Sequence, residues 1–212
     1  MDFGPERACG WPEKPVFGVD EAGRGPWAGP VVAAAICLPA EFDLAALPVN
    51  DSKKLSEKKR EALFEKLVAL PHGIGVASVA EIDKLNILQA TYLAMRRAVD
   101  ALAADIGAPH HVLVDGNRLP DWRYEASALI GGDGLSAAIA AASILAKVTR
   151  DRDMAALDAA YPGYGWASNK GYGAVAHKEG LMRLGATPHH RRSYAPIKKI
   201  LESDISTGES GQ

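Results

Sequence analysis

Apolar and β-branched residues gather in two short runs near the N-terminus, residues 16–20 (VFGVD) and 31–38 (VVAAAICL), separated by the Gly- and Pro-dense stretch EAGRGPWAGP. Short apolar runs bounded by turn residues predict two strands joined by a structured turn. Ser56 is placed to cap a helix whose apolar positions Leu63, Phe64, Leu67 and Leu70 keep helical spacing until Pro71 and Gly73 stop it. Residues 74–80 predict a third strand. From Leu85, the positions Leu88, Tyr92, Met95, Val99, Leu102 and Ile106 step by three and four, the mark of an amphipathic helix, and Gly107 ends it. Residues 111–115 (HVLVD) predict a strand running into GNRLP, and 127–130 a shorter one before GGDG. Ser136 is placed to cap a long Ala-rich helix that runs towards Asp158 and halts before Pro162. A glycine-rich loop at 169–173, a helix over 174–184 and a last turn at 197–201 follow. Residues 202–212 hold one apolar side chain in eleven and predict a frayed tail. An antiparallel start and a strand that returns after a helix together predict a mixed α/β sheet.

The chain has 212 residues, 48% of them hydrophobic, enough for one buried core with at most a small appendage. Its longest apolar run, residues 31–39, is under half of the ~20 residues that a membrane helix needs. The opening MDFGPERACGWPEKP lacks the apolar centre of a secretory leader, so the expected compartment is the cytoplasm, with no membrane partner. Cys9 and Cys37 alone give no basis for a disulfide framework or a thiolate metal site. The net charge of −2 hides segregation: residues 170–199 hold seven Lys/Arg and one acid, and residues 51–60 five and two. Basic stretches in an otherwise acidic chain are either solvated faces or a footprint for a polyanion.

Asp20 and Glu21 stand at the exit of the first apolar strand, Asp115 ends another in the same way, and Asp133 follows a third between glycines. Singly, each is an ordinary turn acid. Jointly, if neighbouring strands deliver them, they form a carboxylate cluster that is costly unless a cation, water or hydrogen-bond donors compensate it. Oxygen-only ligands suit Mg²⁺ or Mn²⁺ rather than Zn²⁺. Two such ions ~4 Å apart can activate water and stabilise the oxygens of an in-line phosphoryl displacement. With the basic stretches, this points to phosphodiester hydrolysis. Gly23, Arg24 and Gly25 follow the acids directly; their spacing matches neither common nucleotide-binding loop, and Pro26 and Pro30 oppose a helix there.

In order along the chain, GVDEAGRGPWAGPVVAAAI, NDSKKLSEKKRE, VLVDGN, GGDGLSAAIAAASILAKVTRDR, YPGYGWASNKGYG and HHRRSYAP resemble the bacterial ribonuclease HII family over residues 16–198. The resemblance implies an RNase H-like mixed β-sheet flanked by helices over residues 15–185, after a tail at 1–14, with a small helical C-terminal extension at 186–201 and a tail at 202–212. It implies a monomeric enzyme that cuts the RNA strand of RNA/DNA hybrids and the 5′ side of single ribonucleotides in duplex DNA. The products would carry 5′-phosphate and 3′-OH ends. By position, the family's metal-binding acids fall on Asp20, Glu21, Asp115 and Asp133. Its ribose-sensing motif falls on Gly23, Arg24 and Gly25, where main-chain groups would read the 2′-OH that separates RNA from DNA. Its junction-sensing tyrosine falls on Tyr172, with Tyr164 as the alternative.

Lys53, Ser143, Lys147 and Lys170 are candidate phosphate contacts; Ser143 and Lys147 lie four apart on one helix face. His189, His190, Arg191 and Arg192 form a basic knot able to grip a duplex backbone, whereas adjacent side chains rarely converge on one ion. Two other readings stay open: a hybrid-binding protein without activity, and a two-metal DNA nuclease or strand transferase. The intact acid set speaks against the first, and the Gly23–Gly25 motif against the second.

Overall fold

The computed structural model describes residues 2–208, with side chains through residue 202. Five strands form one sheet in the order β3-β2-β1-β4-β5. The pair β1 (Val16–Ala22) and β2 (Val31–Cys37) is antiparallel, with Asp20 opposite Ala34. On its other side β1 runs parallel to β4 (His111–Asp115), and β4 parallel to β5 (Ala126–Leu129). β3 (His72–Ala77) lies on the β2 edge. The mixed sheet expected from the sequence is therefore present. Its inner strands are buried along almost their whole length, which is why they read as unbroken apolar runs rather than alternations.

The division of the chain into compact units is not sequential. One unit contains residues up to Ala22, Val32–Val76 and Thr91–Thr149; the other contains Gly23–Val31, Ala77–Ala90 and the chain from Arg150 on. In the first, the Ala-rich opening of α5 (Ala137–Ala160) lies flush on the sheet, so close that a Cβ at Gly18 of β1 would enter the backbone of Ala138. Small residues on both partners permit that approach. Ser136 Oγ accepts from the Ile139 amide at 3.1 Å, which makes it the expected cap. Residues 4–8, given no element by the sequence pattern, form α1 (Gly4–Ala8). Its buried Glu6 accepts from Ser136 Oγ at 2.6 Å and from the Ala138 amide at 2.8 Å.

Helix α2 (Glu57–Leu67) starts at Ser56 as expected and turns Leu63, Phe64 and Leu67 inward. The helix anticipated from Leu85 is present as a single helix from Ile87, and a separate short helix precedes it: α3 (Val79–Leu85), then α4 (Ile87–Ile106). Asn86, at φ 69°, breaks them apart, and Ser78 with Glu81 forms a reciprocal capping box that starts α3 where a continuing strand was expected.

The second unit packs Met154, Tyr164, Trp166, Leu181 and Ile197 into a core of its own. Its helices are α3 with the start of α4, the C-terminal part of α5, the single turn α6 (Trp166–Asn169), α7 (Val175–Leu184) and α8 (Ala195–Gly208). Residues 209–212 of the expected tail lie outside the described residues. Among the described residues no helix is long and apolar enough to cross a membrane.

Candidate active site

The parallel register that sets Val19 against Val114 carries on by one residue to bring Asp20 and Asp115 to the carboxyl ends of adjacent strands. Asp115 pairs with Leu129 of β5, and three residues later the Gly132 amide donates to Asp115 Oδ1 at 2.7 Å. That bond ties the 3-10 turn Gly132–Gly134, and Asp133 within it, to the end of β4. Strand pairing thus delivers Asp20, Glu21 and Asp115, and a turn delivers Asp133.

Repulsion links these carboxylates in series. Asp20 is 6% exposed, and its carboxyl is held well above the ordinary range, first by burial, then by the charges of Glu21 and Asp115. The Glu21 amide, donating to Asp20 Oδ1 at 2.6 Å, and the Ser143 hydroxyl act in the opposite sense. Asp133 is raised by burial, then by Asp115 and Asp51, while Lys53 draws it down. Among the described residues no three His, Cys, Asp or Glu side chains are already gathered closely enough to hold an ion. The donor chemistry nevertheless fits a hard divalent cation: oxygen ligands alone, one of them buried, raising one another's proton affinity in the absence of positive charge. Asp20, Glu21, Asp115 and Asp133 are the residues that would hold it.

Two neighbours of this set differ from their sequence reading. Ser143, taken as a phosphate contact, is 4% exposed; its hydroxyl lies 2.8 Å from Ser52 Oγ and reaches the Asp20 carboxylate. Asp51, read as part of a basic stretch, hydrogen-bonds Asp133 and also accepts from the Lys53 amide at 2.9 Å. Its Asp-Ser-Lys order is an ordinary turn signal, so nothing local marked it. Lys53 is exposed as expected, and Lys147 lies half-buried one turn beyond Ser143 on α5.

In the second unit, the loop Gly23–Gly25 is shaped from inside by two buried guanidiniums. Arg191, wholly buried, donates to the carbonyls of Gly23, Arg24 (2.9 Å), Gly29 (2.9 Å) and Pro30 (3.1 Å), and Tyr194 Oη adds a bond to the Arg24 carbonyl at 2.6 Å. Arg150 donates to Pro30 (2.9 Å), Ala28 (3.1 Å) and Lys170 (3.0 Å). Burial, and the charge of Arg191, lower Arg150 to about 10. Gly23 sits at φ 97° with Arg150 packed where a side chain would begin, so only glycine fits. Arg24 and Gly25 remain exposed.

The ring of Tyr172 borders this loop: a Cβ on Gly25 would lie 3.3 Å from Tyr172 Cε1. Tyr172 is 52% exposed, whereas Tyr164 is 3% exposed, stacked on Trp166 at 4.8 Å and bonded to the Gly185 carbonyl, a core residue unable to meet a sugar. Lys170, at φ 53°, caps α6 and bonds the Ala167 carbonyl at 2.6 Å. The supposed basic knot is split: Arg192 is exposed, while His190 and Arg191 point inward. Sequence spacing cannot reveal that inversion, because nothing in HHRRSYAP distinguishes a charge that holds carbonyls from one that meets phosphate.

A model of the family described as Ribonuclease HII matches residues 17–197. The chain is 58% identical over 186 residues to a curated ribonuclease HII of Sphingopyxis alaskensis, covering 87% of this chain and 91% of the relative. It superposes on the ribonuclease H2 from Pyrococcus horikoshii OT3 with a TM-score of 0.71 and 30% identity, over 89% of this chain and 97% of the other. It shares its fold with Bst-RNase HIII in complex with Mn²⁺, TM-score 0.75 at 22% identity, over 90% and 70% of the two chains.

Proposed function

The chain belongs to the ribonuclease HII family of endoribonucleases, and from that premise we propose that it hydrolyses the RNA strand of RNA/DNA hybrids and cuts 5′ of single ribonucleotides embedded in duplex DNA. The cut leaves 5′-phosphate and 3′-OH ends and serves ribonucleotide excision repair by a monomeric cytoplasmic enzyme. Asp20, Glu21, Asp115 and Asp133 would hold two Mn²⁺ or Mg²⁺ ions, which would supply Lewis acidity for activating water and for stabilising charge on the phosphate oxygens. Bst-RNase HIII, with the same fold, holds Mn²⁺.

The observation that carries this reading is the buried Asp20, crowded by Glu21 and Asp115 until its proton affinity rises. Such an arrangement is unfavourable by itself and becomes favourable once divalent charge replaces protons. Ser143, bonded to the Asp20 carboxylate, orients it rather than touching a phosphate. The main chain of Gly23–Gly25, exposed at Arg24 and Gly25 and with the Gly23 and Arg24 carbonyls fixed by Arg191, reads the ribose 2′-OH, and the Tyr172 ring stacks on the sugar that follows the ribonucleotide. Lys53, Lys147 and Lys170 are left to meet phosphates.

The test is cleavage of a DNA duplex carrying one ribonucleotide, with Mn²⁺ or Mg²⁺ and with EDTA, beside an all-DNA duplex. Cleavage 5′ of the ribonucleotide that depends on the ion, and that falls at least ~10³-fold in Asp20→Asn and Asp133→Asn, is expected. Undiminished cleavage by both variants overturns the site assignment. Equal cutting of the all-DNA duplex favours a DNA nuclease, and tight hybrid binding with no cleavage favours a silent binder.

A further inference from the structure

Two histidines that take no part in the chemistry above are among the most deeply buried polar side chains of the second unit. His177 on α7 is wholly buried, and His190, in the turn before α8, is 1% exposed. Their Nε2 atoms are 3.0 Å apart. A neutral imidazole has one N–H and one lone pair, so each contact fixes a tautomer. The Thr187 amide, 2.9 Å from His190 Nδ1, can only donate, which leaves the His190 proton on Nε2, aimed at His177 Nε2. His177 Nε2 must then accept, as it also does from Trp166 Nε1 at 3.1 Å. The His177 proton therefore sits on Nδ1, where the Tyr172 carbonyl, 2.9 Å away, can only accept. Reversing either ring would set N–H against N–H at one end or a lone pair against a carbonyl at the other. Burial lowers both rings, His190 to about 4, so both are neutral at neutral pH.

One directed chain of donors thus runs from the Thr187 backbone through both imidazoles to the main chain of Tyr172. The same turn serves the neighbouring loop: the His189 carbonyl accepts from the Gly29 amide at 2.9 Å, and the Arg191 amide donates to the Trp27 carbonyl at 2.8 Å. Simple filling of a core would be met by apolar side chains; two polar rings with every nitrogen assigned specify orientation instead. At the far end stands a half-exposed aromatic ring whose backbone is locked from within.

We infer that His177 and His190 are positioning residues that act through the Tyr172 carbonyl to hold the Tyr172 ring where it meets a sugar beside Gly25. The inference rests on the reading of Tyr172 as the residue that senses the ribonucleotide junction. The experiment measures kcat/KM of the full chain on a duplex with one embedded ribonucleotide. His177→Gln moves the side-chain amide away from the Nδ1 position and is expected to cost about tenfold, since a buried carbonyl loses its donor. His177→Asn keeps an N–H at that position and restores most of the loss. Added to Tyr172→Ala, His177→Gln causes no further loss if it acts only through Tyr172. Equal activity of the Gln and Asn variants, or a loss that multiplies with Tyr172→Ala, overturns the inference. Wild-type activity of Tyr172→Ala overturns the reading beneath it. Side-chain ¹⁵N spectra of the unmodified protein settle the tautomers without any variant: Nδ1–H on His177 and Nε2–H on His190 are required, and the opposite assignment of either ring refutes the relay.

Discussion

Asp20 concentrates the conflict between stability and function in a single side chain. Its carboxyl is buried and faces the charges of Glu21 and Asp115, so the folded, metal-free protein keeps its proton to a higher pH than the unfolded chain does. Stability is accordingly full below the ordinary value of 3.8 and is lost as pH rises through the raised folded value. Asp20→Asn removes the charge with little change of volume. In metal-free protein at pH 7 it is expected to raise Tm, by about 2–4 °C for each 1 kcal/mol of strain relieved, and the gain should vanish near pH 4. Calorimetry of the two proteins in EDTA at both pH values checks this; a lower Tm for the variant at pH 7 would show that the carboxylate is already compensated without metal. The acids themselves were legible as residues at strand ends. Asp51 and Ser143 were not, because their roles depend on which distant carboxylate each one faces.

At the scale of elements, the position of the acids depends on how closely α5 lies on β1. Gly18, in the middle strand of five, leaves no room for a methyl group against the Ala138 backbone. Gly18→Ala is expected to cost roughly 1–3 kcal/mol or more, because backbone rather than a flexible side chain must give way. Thermal unfolding should register it as a fall of about 2–4 °C per kcal/mol, with catalytic activity falling in step since Asp20 and Ser143 sit on the two displaced elements. An unchanged Tm would mean that the helix stands further from the sheet. Strands with unbroken apolar runs and the helix capped by Ser136 were readable from pattern. The start of α3 was not, because Ser78 continues a run that also suits a strand, and only the reciprocal bond with Glu81 decides between them.

For the whole molecule, net charge is a poor guide to its partner. Of the Lys and Arg residues in 170–199, Arg191 is wholly buried and serves carbonyls, while the rest are exposed or half-buried. Binding of a hybrid duplex in EDTA should weaken steeply with salt despite the net charge of −2. Lys53→Ala and Lys170→Ala should each reduce the slope of log K against log salt by about 0.9, the share of one phosphate contact. A slope that stays the same removes that lysine from the contact set. Fluorescence anisotropy over a salt series is the direct measurement.

The amino-acid order alone determined the alternation of strands and helices, the four acids at strand ends and turns, and the glycine loop, because hydrophobic period and turn chemistry are local properties. Only the tertiary structure decided the rest: Tyr172 over Tyr164 as the exposed ring, Arg191 and His190 as inward supports rather than outward grips, and Ser143 as a partner of Asp20. Burial and the direction of a hydrogen bond belong to pairs of residues far apart in the chain, and no window of sequence contains both members.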